Sequence, residues 1–205
     1  FWSYFREKLN NSKIKMKKKI IILGIVIAAI FGGKYYYDMH INHNFETITE
    51  GKVYKSGVIP PDELPEYIKE HHIKSVVDLR FPGTGDDVNN PEIPEELTAE
   101  KEAIAKLDGV QYFNNGSDQV PQEHNLKMFF EIMDNPDNYP VLIHCYHGVG
   151  RAEMYSAIYR IEYEGMDPNE ARKSTRFLTK WSSFDLGKPK GDYLFNYTKR
   201  KDSVK

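Results

Sequence analysis

The chain has 205 residues, with 28 Lys and Arg against 30 Asp and Glu and a single Cys. The length suits one α/β domain with a proper core. One thiol excludes a disulfide scaffold within the chain, and no internal repeat or long low-complexity linker is present.

Residues 1–19 are basic, ending Lys13-Ile14-Lys15-Met16-Lys17-Lys18-Lys19, and an apolar run follows from Ile20 to Gly33. Read from Met16, this is a short positive segment and a hydrophobic segment of signal-peptide length. No good small-x-small cleavage site follows it, so residues 1–34 read as a signal-anchor helix in preference to a cleaved signal. The Lys cluster then stays cytoplasmic and the remainder is extracytoplasmic, or secreted if the signal is cleaved. Residues 1–34 hold 8 of the 28 Lys and Arg and 1 of the 30 Asp and Glu, so the rest is net −9. That charge argues against nucleic acid as a partner and leaves the membrane as the partner of the N-terminal helix.

Residues 35–51 are polar and rich in Tyr and His, and read as a linker to a domain over 52–205. Val53 to Gly57 reads as a first strand, and Pro60-Pro61-Asp62 opens a helix with Leu64, Tyr67 and Ile68 on one face. Ile73 to Arg80 is a second strand, in which Asp78 is placed to fix Arg80 or backbone groups. After a Pro-rich acidic stretch, a helix carries Leu97, Ile104 and Leu107, and Val110 to Phe113 is the next strand. Leu126, Phe129, Phe130 and Met133 predict an amphipathic helix with a core-facing stripe.

Pro140-Val141-Leu142-Ile143 reads as a short buried parallel strand. After Arg151, the residues Met154, Ala157, Ile158 and Ile161 recur at the spacing of one helix face. Gly165 is placed to end that helix. Asp167-Pro168-Asn169-Glu170 is a capping pattern for another, bearing Ala171, Thr175 and Leu178. Residues 181–190 read as a loop and Tyr193 to Lys199 as a last short helix. Strands alternating with helices predict an α/β fold with a central, mostly parallel sheet flanked by helices.

Between the last strand and its helix lies His144-Cys145-Tyr146-His147-Gly148-Val149-Gly150-Arg151. Successive backbone N–H groups of residues 146 to 151, at the positive end of a helix, can bind an oxyanion. Gly148 and Gly150 permit the dihedrals of such a nest, and the planar fork of Arg151 can grip two phosphate oxygens. A cysteine in that field is favoured as a nucleophilic thiolate.

These residues resemble the His-Cys-x5-Arg signature of the cysteine-dependent protein tyrosine phosphatase superfamily, and the glycine spacing is most similar to its dual-specificity branch. The strand-helix-strand opening resembles bacterial and atypical plant and fungal members, whose segment often begins Tyr-Arg-Ser; here Lys55 stands in place of that Arg. The resemblance implies a phosphomonoesterase for phosphotyrosine- and phosphoserine/threonine-type esters. Its nucleophile would be Cys145, passing through a phosphocysteine, with Arg151 binding substrate and transition state. Tyr146, His147, Gly148, Val149 and Gly150 would complete the phosphate cradle, and His144 would order the loop. No metal and no other cofactor is implied.

The leaving oxygen needs an acid. Loops after parallel strands gather at the strands' carboxyl ends, so the loop after Phe113 reaches the edge where Cys145 lies, and its acidic residue is Asp118. This loop resembles the family's general-acid loop, an Asp followed shortly by Pro, without the usual preceding Trp-Pro. Asp86 and Asp87 are the competing candidates.

Two departures stand at the helix start. Where the family has Ser or Thr and then Gly, this chain has Ala152, as in the phosphatases of regenerating liver, and Glu153. Three alternatives remain. An inositol phosphate phosphatase usually carries Lys in the loop, and this loop has none. A catalytically weak phospho-binding module is favoured by the Ala152-Glu153 pair. Rhodanese-type sulfur transfer typically uses a Cys loop one residue shorter.

Overall fold

The computed structural model describes residues 2–81, 94–175 and 182–202. The chain forms two units, residues 1–42 and 43–205.

The first unit is a single helix, α1 (Trp2–His40). Within it, Lys15–His40 contains an 18-residue window with a mean hydropathy of 1.8 and is long and apolar enough to cross a membrane. Ile20 to Phe31 display their large apolar side chains to the outside, the surface a helix needs when it faces lipid. Residues 35–40, expected in a linker, continue this helix, because no Gly or Pro interrupts it there. Beyond it His43 and Asn44 each take φ of 50°, a conformation that cannot propagate a helix.

The second unit is a five-stranded sheet in the order β1-β2-β5-β3-β4. Strands β2 (Val53–Ser56), β3 (Ser75–Asp78), β4 (Gln111–Asn114) and β5 (Val141–His144) run parallel to one another. Strand β1 (Glu46–Thr49) adds an antiparallel edge to β2. It falls in the stretch read as linker; the β-branched Thr47-Ile48-Thr49 and a turn at Gly51 with φ of 68° form a hairpin instead.

Every residue of β2, β3 and β5 is buried. Because side chains alternate along a strand, the two sheet faces feed separate cores. Val53, Val77, Val141 and Ile143 pack toward α4 (Glu123–Met133), α5 (Arg151–Tyr163), α6 (Pro168–Ser174) and α7 (Pro189–Phe195). Tyr54, Val76 and Leu142 pack toward Leu64 and Ile68 of α2 (Leu64–Glu70) and Ile104 of α3 (Pro94–Ala105). The expected mostly parallel, helix-flanked α/β sheet is the fold observed.

Helix α5 is buried without interruption from Arg151 to Tyr159, as a helix enclosed on all sides must be. Gly165, with φ of 75°, follows its end. The Asp167 carboxylate caps α6 by accepting from the Asn169 and Glu170 amides at 2.9 and 3.1 Å. The last helix begins at Pro189, earlier than expected, with Pro in its first turn. Leu178, Asp86 and Asp87 lie outside the described residues.

Strand register aligns Ser56, His144, Asp78 and Asn114 across the sheet at the carboxyl ends. The loops leaving those four residues therefore meet at one edge.

Candidate active site

β5 ends at His144, and the chain turns through Cys145–Gly150 into α5, whose first residue is Arg151. Gly148 has φ of 73°, and a Cβ there would lie 2.5 Å from the Gly57 nitrogen. Only glycine permits both this conformation and this approach to the end of β2. The loop is tied down on its outer side: the Val58 amide donates to the Tyr146 carbonyl at 2.9 Å. The Asn44 side chain donates to the His147 carbonyl at 2.7 Å.

Cys145 and Arg151 are both buried, at 3% and 2% exposure, and both line one cavity of about 250 Å³. His147, Val149 and Gly150 complete the loop's share of its wall. Arg151 is aimed by two backbone carbonyls from other loops: Nη1 donates to that of Leu79 at 2.8 Å and to that of Ser117 at 3.4 Å. Burial and the Arg151 cation both hold the His147 pKa below the ordinary histidine value, which favours a neutral imidazole beside the cysteine. Tyr146 and Gly148 are not in the wall; the Tyr146 ring stands edge-on to His147.

His144, the residue before Cys145, sits in a buried ionic network. Arg80, fully buried, donates to both carboxylate oxygens of Asp78 at 2.9 and 2.8 Å and also to Glu100. Tyr112 donates to Asp78 at 2.7 Å. His144 Nε2 lies 2.8 Å from Glu100 and 3.7 Å from Asp78, and neither contact has the geometry of a hydrogen bond. Burial would raise the Asp78 carboxyl, but His144 and Arg80 outweigh it and hold its pKa below the aspartate norm. Asp78, Glu100 and His144 are also the described residues whose ligand atoms cluster as a metal site would require. Arg80 already supplies the positive charge there.

Glu153, the charge expected to trouble a phosphate site, is turned away and paired. Its carboxylate is 3.1 Å from the Lys55 ammonium, which also lies 2.8 Å from Glu46 and donates to the Gly148 carbonyl at 3.5 Å. Lys55 thus joins β1, β2, the cysteine loop and α5.

Asp118 lies on the expected loop, but its exposed carboxylate accepts from Gln122 at 2.9 Å and is not in the cavity wall. Its neighbour Gln119 is. The loop is braced from below: Asn125 donates to Asn115 and Gly116, and Tyr155 donates to Ser117 at 2.8 Å.

Gln119, Ser183 and Lys190 close the cavity from outside the cysteine loop. None was legible beforehand. Lys190 is the second residue of α7, in a Gly-Lys-Pro-Lys stretch that carries no motif, and only the packing of α7 brings it to the site. Lys55 and Glu100 were equally hidden as partners of Glu153 and His144.

A buried cysteine heading a loop that closes on a helix-starting arginine, at the carboxyl edge of a parallel sheet, defines a cysteine-dependent phosphatase of the tyrosine and dual-specificity class. Residues 37–185 match the family described as "DSP-PTPase phosphatase fused to NAD+ Kinase", and the chain belongs to that family. No curated protein matches the sequence. Among solved structures, the core catalytic domain of the PP-IP phosphatase Siw14 from S. cerevisiae is similar at 19% identity and a TM-score of 0.56, over 78% of this chain and 88% of that one. TpbA from P. aeruginosa is similar at 17% identity and TM-score 0.53, over 77% and 86% of the two chains. Tk-PTP is similar at 21% and 0.53, over 73% and 91%. At these identities the likeness is one of fold. The chain is a phosphatase that hydrolyses phosphoesters, with an apolar N-terminal helix.

Proposed function

We propose that Cys145 is the nucleophile and Arg151 the phosphate-gripping residue of a phosphomonoesterase anchored to a membrane by α1. The observation that carries this reading is the single cavity shared by Cys145 and Arg151, with Arg151 aimed by Leu79 and Ser117. Cys145 Sγ attacks phosphorus, the phosphorus–oxygen ester bond breaks, and the leaving oxygen takes a proton. Water then attacks the phosphocysteine, which returns the thiolate and releases phosphate. The backbone N–H groups of residues 146–150 and the start of α5 stabilise the charge on the equatorial oxygens.

Asp118 is the acid in this scheme. Gln122 holds its carboxylate outside the cavity, so the loop carrying Gln119 turns it inward when substrate is bound. Substrates are phosphotyrosine- and phosphoserine/threonine-type esters or small phosphoesters. A TpbA structure holds phosphotyrosine, and Siw14 is described as a PP-IP phosphatase. The domain faces away from the cytoplasm, because the Lys17 to Lys19 cluster precedes the apolar segment.

The deciding experiment is phosphate release by the full chain from a phosphotyrosine peptide and from inositol hexakisphosphate, with Cys145→Ser as control. Turnover of either substrate that requires Cys145 supports the assignment; turnover that survives Cys145→Ser overturns it.

A further inference from the structure

Resting on the phosphate-cradle reading above, we propose that Lys190 and Gln119 form a second anion subsite beside the cradle. Preferred substrates then carry a second phosphoryl group next to the one that is cleaved. The residues responsible lie outside the cysteine loop.

Lys190 is the second residue of α7 and only 8% exposed, yet it lines the same cavity as Cys145 and Arg151. Its ammonium is oriented from two sides. Nζ donates to Gln119 Oε1 at 3.0 Å and stands 4.7 Å from the centre of the Phe184 ring. The base under it is rigid. A Cβ at Gly191 would come within 2.0 Å of the Asp185 carbonyl, and Arg172 donates to the Phe184 carbonyl at 2.9 Å. The helix is thus pressed against the turn before it, so the ammonium is pre-positioned and needs little ordering when an anion arrives.

The location selects the ligand. A Cβ at Gly150 would lie 2.8 Å from Gln119 Oε1 and 3.5 Å from Lys190 Nζ. The cation therefore sits directly against Gly150 at the end of the phosphate loop. A lone phosphate in the cradle has Arg151 and the loop amides as partners. A neighbouring phosphoryl group, joined through an anhydride oxygen or on the adjacent carbon, extends past Gly150 to the Lys190 ammonium. Lysine serves such a group well as a compact point charge. The expectation that a multiply phosphorylated substrate needs a lysine within residues 146–150 is met here from another helix.

The test is binding, so it does not depend on turnover. Inorganic phosphate and pyrophosphate are titrated calorimetrically into the Cys145→Ser full chain, with and without Lys190→Met. Pyrophosphate should bind Cys145→Ser tighter than phosphate by about tenfold or more, the effect of one charge-assisted hydrogen bond. Lys190→Met should bring that ratio close to one, and Lys190→Arg should restore most of it. A structural role for Lys190 would instead weaken both anions together and overturn the subsite. A Cys145→Ser chain that binds neither anion overturns the cradle itself. Should Lys190→Met fail to fold, Gln119→Leu on the exposed loop decides: a reduced ratio supports the subsite, and an unchanged one refutes it. A vicinal bisphosphate titrated alongside tells an anhydride-linked neighbour from a carbon-linked one.

Discussion

The Lys55 ammonium lies 3.1 Å from the Glu153 carboxylate, where both side chains are nearly closed to solvent at 5% and 6% exposure. One cation serves two carboxylates, since Glu46 shares it. Burial pulls the Lys55 pKa down, but Glu153 and Glu46 outweigh it and hold it above the ordinary lysine value. Glu153 is under-compensated, and burial leaves its pKa raised in spite of Lys55.

Lys55→Met should therefore strand a buried carboxylate and cost about 3–5 kcal/mol of stability near neutral pH. A group whose folded pKa is raised loses stability as pH rises through that value. The Lys55→Met defect should shrink as pH falls toward 4.5, the ordinary glutamate value, where Glu153 becomes neutral. Lys55→Met with Glu153→Leu should recover most of the loss. Urea unfolding across this pH range measures it; a defect independent of pH would refute the pairing.

Cys145→Ser should abolish phosphate release yet keep phosphate binding, because Arg151 and the loop backbone survive. Arg151→Lys keeps the charge and loses the planar fork, and turnover should fall by about 10²–10³-fold, as when an oxyanion donor is removed. Stopped-flow and steady-state rates compare the three proteins, and a serine variant as active as the parent would end the thiolate mechanism.

Asp118→Asn should slow alkyl and tyrosyl phosphates by about 10²–10⁴-fold, the usual contribution of a positioned acid. Phosphates with weakly basic leaving groups should be affected much less. Gln122→Ala frees the Asp118 carboxylate from its outward hydrogen bond, so it should hold or raise turnover of the slow substrates. If Asp86→Asn or Asp87→Asn gives the leaving-group pattern instead, the acid is misassigned.

The Asp78 carboxyl is held below 3.8 by His144 and Arg80 against the opposing effect of burial. A lowered folded pKa contributes stability above the unfolded value and loses it as pH falls. The parent should thus weaken below pH 3.8, and Asp78→Asn, already destabilised by about 3–5 kcal/mol near neutrality, should lack that acid-dependent part. Thermal melts of both proteins through the acid range check the sign.

A reporter active only outside the cytoplasm, fused after Lys205, should be active in the full chain. Activity of a cytoplasm-only reporter at the same junction would reverse the topology of α1.

Local chemistry made much of this protein legible. The apolar run into His144, the glycines at 148 and 150 and the repeat of Met154, Ala157, Ile158 and Ile161 specify strand, loop and helix over short distances. Cys145 and Arg151 both belong to that one segment, so their nearness was legible, while the aim of Arg151 depends on the distant Leu79 and Ser117 carbonyls. The parallel order followed from strands alternating with helices. Strand β1 did not, because an edge strand is defined by its partner β2 and all its own residues but Ile48 are polar.

What only the tertiary structure decided depends on contacts between distant segments. Glu153 looks like an error beside a phosphate site until Lys55, about a hundred positions earlier, is seen to face it across the β2–α5 contact. Asp118 lies on the expected loop with its carboxylate outside the cavity wall, because Gln122, four residues on at the start of α4, claims that carboxylate. His144 owes its surroundings to Glu100 on α3 and to Asp78, aligned with it only by strand register. Lys190 reaches the cavity because α7 packs back on Phe184 and the turn at Asp185, a placement set by burial and not by any local pattern.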